Sequence, residues 1–334
     1  MARVAVDALG GDHAPEEIVA GALQAAGDGI EVTLHGPPGL ETGGLPLVVA
    51  EQAIGMAEKP SEAVRAKPDS SLVSAVRAVA DGKADAVLSA GNTGAVLAAG
   101  LLHLRRAPGF LRPAFGVPIP TRSGVSLLID GGANADCRPE HLAQFAVMGS
   151  VFCREILDRA DPSVRLLSIG EEPEKGNQLT IETHALLAGL EGIRFEGNAE
   201  ARDLLRGSAD VVVTDGFTGN VALKLLEGAI KELLDLLREE ISATATGKLG
   251  GLLIRPAARR IRSRLDPDTY GGAYLLGLNG LAVIAHGNSG RRAIENATRL
   301  AARGAEHEVA RRLAEALPER ERNPEAALGL RDAR

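Results

Sequence analysis

Short apolar runs rich in β-branched residues alternate along the chain with longer stretches whose apolar positions recur at helical spacing. Runs at 4–6, 32–35, 47–49, 125–129, 164–169, 193–195 and 211–213 predict strands. Periodicity alone does not separate such runs from buried helix; their β-branched content and flanking Gly and Asp do. Helices are expected at 15–26, 71–80, 139–159, 178–190 and 222–241, and from a Ser289 cap to about residue 317. His103, Arg105 and Arg106 close a further helix. Pro113 and Pro120 bracket an apolar run at 114–119, which suggests an edge or irregular strand. The alternation predicts an α/β fold with an open, mostly parallel, doubly wound sheet covered on both faces. In such sheets ligands meet the loops at strand C-termini. Residues 1–317 are expected to form a single catalytic unit, of one lobe or two, and 318–334 a mobile polar tail.

One unit occurs twice. DVVVTDGFTGNVALK at 210–224 reads as a strand, a turn holding Asp215, Gly216, Phe217, Thr218 and Gly219, and a helix from about Asn220. DAVLSAGNTGAV at 85–96 repeats it, with Asp85, Gly91, Thr93, Gly94 and Val96 at the places of Asp210, Gly216, Thr218, Gly219 and Val221. A turn of this kind brings backbone N–H groups to a helix N-terminus, where an anion is favoured. Ordinary loop closure and capping is the alternative.

With 334 residues, 45% of them hydrophobic, the chain can bury a large core. Aromatics make up only 2% and glycines number 40, so small aliphatic side chains carry the packing and there is little with which to stack bases. A net charge of −7 argues against a general nucleic-acid binder. Cys137 and Cys153 lack paired metal-ligand spacing and suit a reduced, cytoplasmic setting. With no leader and no apolar run of spanning length, a soluble chain is expected. The histidines at 13, 35, 103, 141, 184 and 307 show no HExxH spacing, and no metal or other cofactor is expected.

The glycine-rich loops together resemble the phosphate acyltransferase family of bacterial phospholipid synthesis, the acyl-ACP:phosphate acyltransferases. The matching pieces are DALGGD (7–12), SAGNTGA (89–95), DGGAN (130–134), QFAVMG (144–149), GEEPEKGN (170–177), DGFTGNVALK (215–224), YGGAYLLGLNG (270–280) and AHGNS (285–289). Leu9 and Gly131 stand where the family usually has Met and Val; neither change removes a polar group. The resemblance implies transfer of a fatty acyl group from acyl carrier protein to inorganic phosphate, without a metal. It also implies a homodimer with a fold similar to isocitrate and isopropylmalate dehydrogenases and to phosphotransacetylases.

Phosphate attacking a thioester needs positioning and oxyanion stabilisation more than strong acid help, because a thiol of pKa ~8.5 leaves readily. Candidate phosphate-binding residues are Ser89, Gly91, Asn92, Thr93, Gly94, Asn134, Gly216, Thr218, Gly219 and Asn220, with the 89–94 and 215–220 loops expected to face one crevice. Candidate catalytic groups are Lys175, Lys224, His286 and Asp215. Each has a structural alternative: a solvated loop charge for Lys175, a salt bridge to Glu227 or another neighbour for Lys224, a satisfied structural role for His286. Asp7, Asp12 and Asp130, at strand C-termini, read as loop organisers.

A projecting helical hairpin is expected at about 235–268. Its apolar tip holds Leu252, Leu253 and Ile254, and Pro256 opens a helix carrying Arg255, Arg259 and Arg260 beside it. This basic amphipathic pattern suits an anionic membrane surface or the acidic carrier protein; a dimer-packing helix pair is the alternative. The family's hairpin associates with membrane, which implies a cytoplasmic protein attached peripherally. Competing readings are a short-chain acyl-CoA:phosphate acyltransferase, a decarboxylating dehydrogenase, and a non-enzymatic phosphate- or nucleotide-binding regulator. The dehydrogenase lacks support, because no GxGxxG follows the first strand.

Overall fold

The computed structural model describes residues 1–317, so the expected tail at 318–334 lies outside the described residues. In chain order the strands are β1 (Arg3–Asp7), β2 (Glu31–Gly36), β3 (Leu47–Val49), β4 (Ala86–Ser89), β5 (Ala114–Thr121), β6 (Gly124–Ile129), β7 (Ser163–Ser168), β8 (Arg194–Glu200), β9 (Val211–Val213), β10 (Ala273–Leu276) and β11 (Leu281–Ile284). The helices are α1 (Glu16–Ala26), α2 (Pro60–Ala66), α3 (Ser71–Ala80), α4 (Thr93–Ala99), α5 (Pro139–Ile156), α6 (Gln178–Ala188), α7 (Gly216–Ala243), α8 (Ala245–Leu265), α9 (Arg291–Glu306) and α10 (Val309–Ala316).

All eleven strands join one sheet in the order β3-β2-β1-β4-β11-β10-β5-β6-β9-β7-β8. The outer blocks are parallel within themselves. Three antiparallel steps, β11 to β10, β10 to β5 and β5 to β6, join them. An odd number of reversals makes β6, β9, β7 and β8 run opposite to β1, β2, β4 and β11. The sheet is therefore mostly parallel, as expected, but its two parallel blocks point opposite ways.

One face packs on α1, α5, α9 and α10, where Val4, Val6, Leu127, Phe145, Phe152 and Ile294 are buried. The other packs on α2, α3 and α4 over the first block, and over the second on a small cluster of Ile119, Leu128, Val212 and Leu204. Gly21 lets α1 approach α9, since a Cβ there would strike the Arg291 carbonyl. Phe152 of α5 meets Tyr274 of β10 edge to face, with ring centroids 5.1 Å apart, and so ties the antiparallel bridge to the helical layer.

Four expectations are corrected. β5 is internal rather than an edge. Its Pro118 and Pro120 are tolerated because β10 pairs only with Ala114–Gly116, leaving one side of the later residues without a ladder partner. Ser289 does not cap α9; Gly290 holds that place, and Glu308 at φ 51° breaks the expected long helix in two. The turn at 215–219 is already helix, because Asp215 caps α7 at Gly216. The hairpin turns at Thr244, whose hydroxyl accepts from the Gly247 N–H at 2.9 Å, so Leu252, Leu253 and Ile254 lie inside α8 and Pro256 does not open it. The hairpin does project: no α8 residue is buried, and in α7 only Gly216 and Gly219 are.

Truncating the buried ring in Phe152→Ala should cost about 3–5 kcal/mol, the usual range for an aromatic-to-alanine cavity. Denaturant unfolding would show a lower midpoint at unchanged slope.

Candidate active site

Two buried carboxylates organise the loops at the strand ends. Asp7 is the last residue of β1, beside β4, whose last residue is Ser89. Its Oδ1 accepts from Ser71 Oγ at 2.5 Å and the Leu9 N–H at 3.3 Å; its Oδ2 accepts from Ser89 Oγ at 2.7 Å. Ser89 Oγ in turn accepts from the Gly91 N–H at 3.0 Å. Burial pushes the Asp7 carboxyl above its ordinary value, opposed by the Ser71 and Ser89 hydroxyls and the loop N–H groups.

Asn92 is committed on all sides. Its Oδ1 accepts from the Ala95 N–H at 3.1 Å, capping α4, while its Nδ2 donates to the Met56 and Glu58 carbonyls at 3.0 and 3.1 Å. Gly94 packs against Pro60, and Thr93 is exposed. The Thr93 and Gly94 N–H groups have no acceptor among the described residues.

Asp130 follows β6 and is fully buried. Oδ1 accepts N–H bonds from Phe115, Gly132 and Ala133 at 2.9, 3.1 and 2.9 Å. Oδ2 accepts from the backbone N–H and side-chain Nδ2 of Asn134 at 2.7 and 2.9 Å. Burial still pushes this carboxyl up. Asn134 Nδ2 also donates to the Pro113 carbonyl at 2.8 Å, and the Asn134 carbonyl accepts from the Gly216 N–H at 2.8 Å. Asp215 accepts from the Thr218 N–H at 2.9 Å and the Thr218 hydroxyl at 2.7 Å. The N–H groups of Gly216, Thr218 and Gly219 thus already have acceptors, and one of these is a carboxylate. This helix start therefore leaves an anion fewer free N–H groups than the turn alone suggests. Asn220 lies over Gly132, whose φ of 137° and close approach both need glycine.

The duplicated units are alike in sequence and unlike in position. β4 and β9 run in opposite directions with β11, β10, β5 and β6 between them, a separation of roughly 24 Å along the sheet at the usual strand spacing. No hydrogen bond joins the two clusters among the described residues. α7 links them instead. It starts beneath the Asp130 loop and reaches His286, which follows β11, where Glu227 Oε1 lies 3.5 Å from His286 Nε2. The loop after β11 belongs to the Asp7 cluster, since Ala285 N–H donates to the Ser89 carbonyl at 3.0 Å and Asp12 N–H to the Gly287 carbonyl at 2.7 Å.

Lys224 is exposed on α7 and has no acidic partner among the described residues; Glu227 faces His286 instead. Lys175, also exposed, lies in the loop after β7, beside β9 at the Asp215 end of the sheet. Sequence reasoning missed Ser71 and Glu227, which meet their partners only through tertiary packing. No cluster of three or more His, Cys, Asp or Glu side chains suited to a metal occurs among the described residues. A cavity of about 460 Å³ lies between β1–β3 and α3, lined by His35, Ser74 and Arg77 but by none of the candidate residues.

The fold is that of the phosphotransacylases. It superposes on a phosphotransacetylase from Streptococcus pyogenes (TM-score 0.62, 18% identity, covering 91% of this chain and 94% of that one). It also matches the EutD phosphotransacetylase from Staphylococcus aureus (TM-score 0.59, 16% identity, 91% and 94% covered). Residues 2–312 match the family model described as "Fatty acid synthesis protein". The chain is 48% identical over 321 residues to a phosphate acyltransferase of Synechococcus sp. (strain JA-2-3B'a(2-13)), covering 93% of this chain and 86% of that one. It is 47% identical over 324 residues to the phosphate acyltransferase of Thermosynechococcus vestitus (strain NIES-2133 / IAM M-273 / BP-1), covering 93% and 94%. The chain belongs to the phosphate acyltransferase family.

Because the folded Asp7 carboxyl titrates above its ordinary value, its ionisation opposes folding. That cost is absent below the ordinary carboxylate range and grows as pH rises toward the folded value. Asp7→Asn should therefore gain melting temperature relative to the parent as pH rises from acid to neutral. Thermal scans across pH check the sign.

Proposed function

We propose that the protein transfers a long-chain fatty acyl group from acyl carrier protein to inorganic phosphate, giving acyl phosphate for phospholipid synthesis. The observation that carries this is near-full-length similarity, at 47–48% identity, to proteins named phosphate acyltransferase. A phosphate oxygen attacks the thioester carbonyl carbon, the C–S bond breaks, and the thiolate departs with its electron pair. A thiolate is a competent leaving group, so holding the dianion and stabilising the tetrahedral oxyanion do most of the work.

Lys224 precedes Glu227 by three residues on α7 and so shares its side of the helix. It therefore lies one turn before the Glu227 contact with His286, at the end of the sheet where the unpaired N–H groups of Thr93 and Gly94 also lie. We assign phosphate to that end, with Lys224 as its cation and His286 as the group that meets the departing thiolate or the carbonyl. Lys175 and Asp215 sit beside the other block, so their participation requires the substrate to span α7.

The hairpin supports docking at a surface. Leu252 and Leu253 are 63% and 78% exposed, and Arg255, Arg259 and Arg260 are exposed beside them. Among the described residues no helix is long and apolar enough to cross a membrane, so attachment would be peripheral. The carrier protein and a second copy of this chain, as a homodimer, are the other partners this surface fits.

Trapping with hydroxylamine should yield much more acyl hydroxamate from long-chain acyl carrier protein with phosphate than in the phosphate-free control, which reports direct cleavage of the thioester, and the phosphate-dependent gain should be far smaller from acetyl-CoA. The reverse preference would instead support the short-chain enzyme, and no phosphate-dependent gain from either would support a binding protein. Lys224→Ala should lower the rate at least roughly tenfold. In a separate experiment, Leu253→Glu with Ile254→Glu should abolish flotation with anionic liposomes; unchanged flotation would remove the membrane assignment.

A further inference from the structure

α7 leaves the body of the protein at Glu227. Before that point Ala222, Leu223 and Leu226 pack against the cluster of Ile119, Leu128 and Val212. Beyond it no residue of α7 or α8 is buried. At the exit Glu227 Oε1 lies 3.5 Å from His286 Nε2, both side chains being partly exposed. Charges also gather where the chain returns from α8. Asp268, in the single turn after α8, has its carboxyl pushed up by burial and by Asp266, and His286 and Arg292 counter that shift. Arg292 also lies 3.6 Å from Asp266. His286 itself opens the loop whose Ala285 N–H holds the Ser89 carbonyl and whose Gly287 carbonyl holds the Asp12 N–H. One imidazole thus faces the outgoing leg of the hairpin and, through its own loop, both loops of the Asp7 cluster.

We propose that Glu227 is a positioning residue that orients the His286 ring from the hairpin side and ties the attitude of α7 and α8 to the Ser89 and Asp12 loops. A carboxylate 3.5 Å from Nε2 favours, by its charge, the ring tautomer that carries the proton on that nitrogen. A displacement of the hairpin is felt at Glu227, because Glu227 lies on α7, the leg by which the hairpin leaves the body. The kinetic arm of the test rests on the proposed acyl transfer; the spectroscopic arm does not.

The test uses Glu227→Gln and Glu227→Asp in the full chain. Ring 15N shifts of His286, assigned with His286→Gln, should report the Nε2–H tautomer in the parent and the Asp variant and a mixture in the Gln variant. For acyl phosphate formation, kcat should fall roughly tenfold in the Gln variant at unchanged KM for phosphate, and the Asp variant should recover part of the loss. Melting temperatures should stay level, because partly exposed ion pairs contribute little to stability. An unchanged ring spectrum in the Gln variant overturns the proposal, as does equal loss of kcat in both variants. A parent that forms no acyl phosphate overturns the reaction reading, while the ring spectra still decide the positioning role.

Discussion

The second half of the molecule depends on the buried carboxylate of Asp130. Five N–H donors converge on it, four from the backbone and one from Asn134. Hydrogen bonds to a charged group contribute about 1.5–3 kcal/mol each, which opposes part of the cost of desolvating the carboxylate. The loop wound around it turns the Asn134 carbonyl outward to receive the first N–H of α7. Gly219 then packs so closely that any side chain would strike the Asp130 carbonyl. The direction of α7, and with it the placement of the hairpin, follows from how this one side chain is satisfied.

Asp7 does the same work for the first half by different means. Its principal partners are the hydroxyls of Ser71 and Ser89, not a ring of backbone amides. A hydroxyl can rotate to accept a proton as readily as to donate one, whereas an amide can only donate. Protonating Asp130 would set a new O–H against N–H donors that cannot turn away. Asp7 can gain or lose a proton with a hydroxyl rotation alone. Of the two, the site beside Ser89 is the one built to tolerate a change of charge, and it is also the one linked to His286.

The alternation of strands and helices was legible because β-branched runs and glycine-bearing turns are local signals. Asn92 and Thr244 illustrate the limit. A cap can be read from neighbouring residues, but the Met56 and Glu58 carbonyls that bind the other end of Asn92 lie far away in sequence. β10 and β11 escaped notice because glycines at 271, 272, 277 and 280 interrupt the apolar run that holds them. The prolines of β5 pointed to an edge, since nothing in the sequence shows that β10 stops at Gly116. The repeat at 85–96 and 210–221 was real as a pattern of strand, turn and cap. The three strand reversals between the copies are revealed only by the sheet order.

Those reversals put the strand-end loops of the two blocks at opposite edges of the sheet, and the first three turns of α7 run from one edge toward the other. A helix of 1.5 Å rise covers roughly 16 Å between Gly216 and Glu227. Its first turns are fixed by the Asp130 loop and its middle by Glu227 at His286, so the remaining turns can extend into solvent without losing their bearing on the body. The hairpin's exposed leucines and arginines lie on α8, which turns back at Thr244 from the helix that joins the two halves of the candidate site.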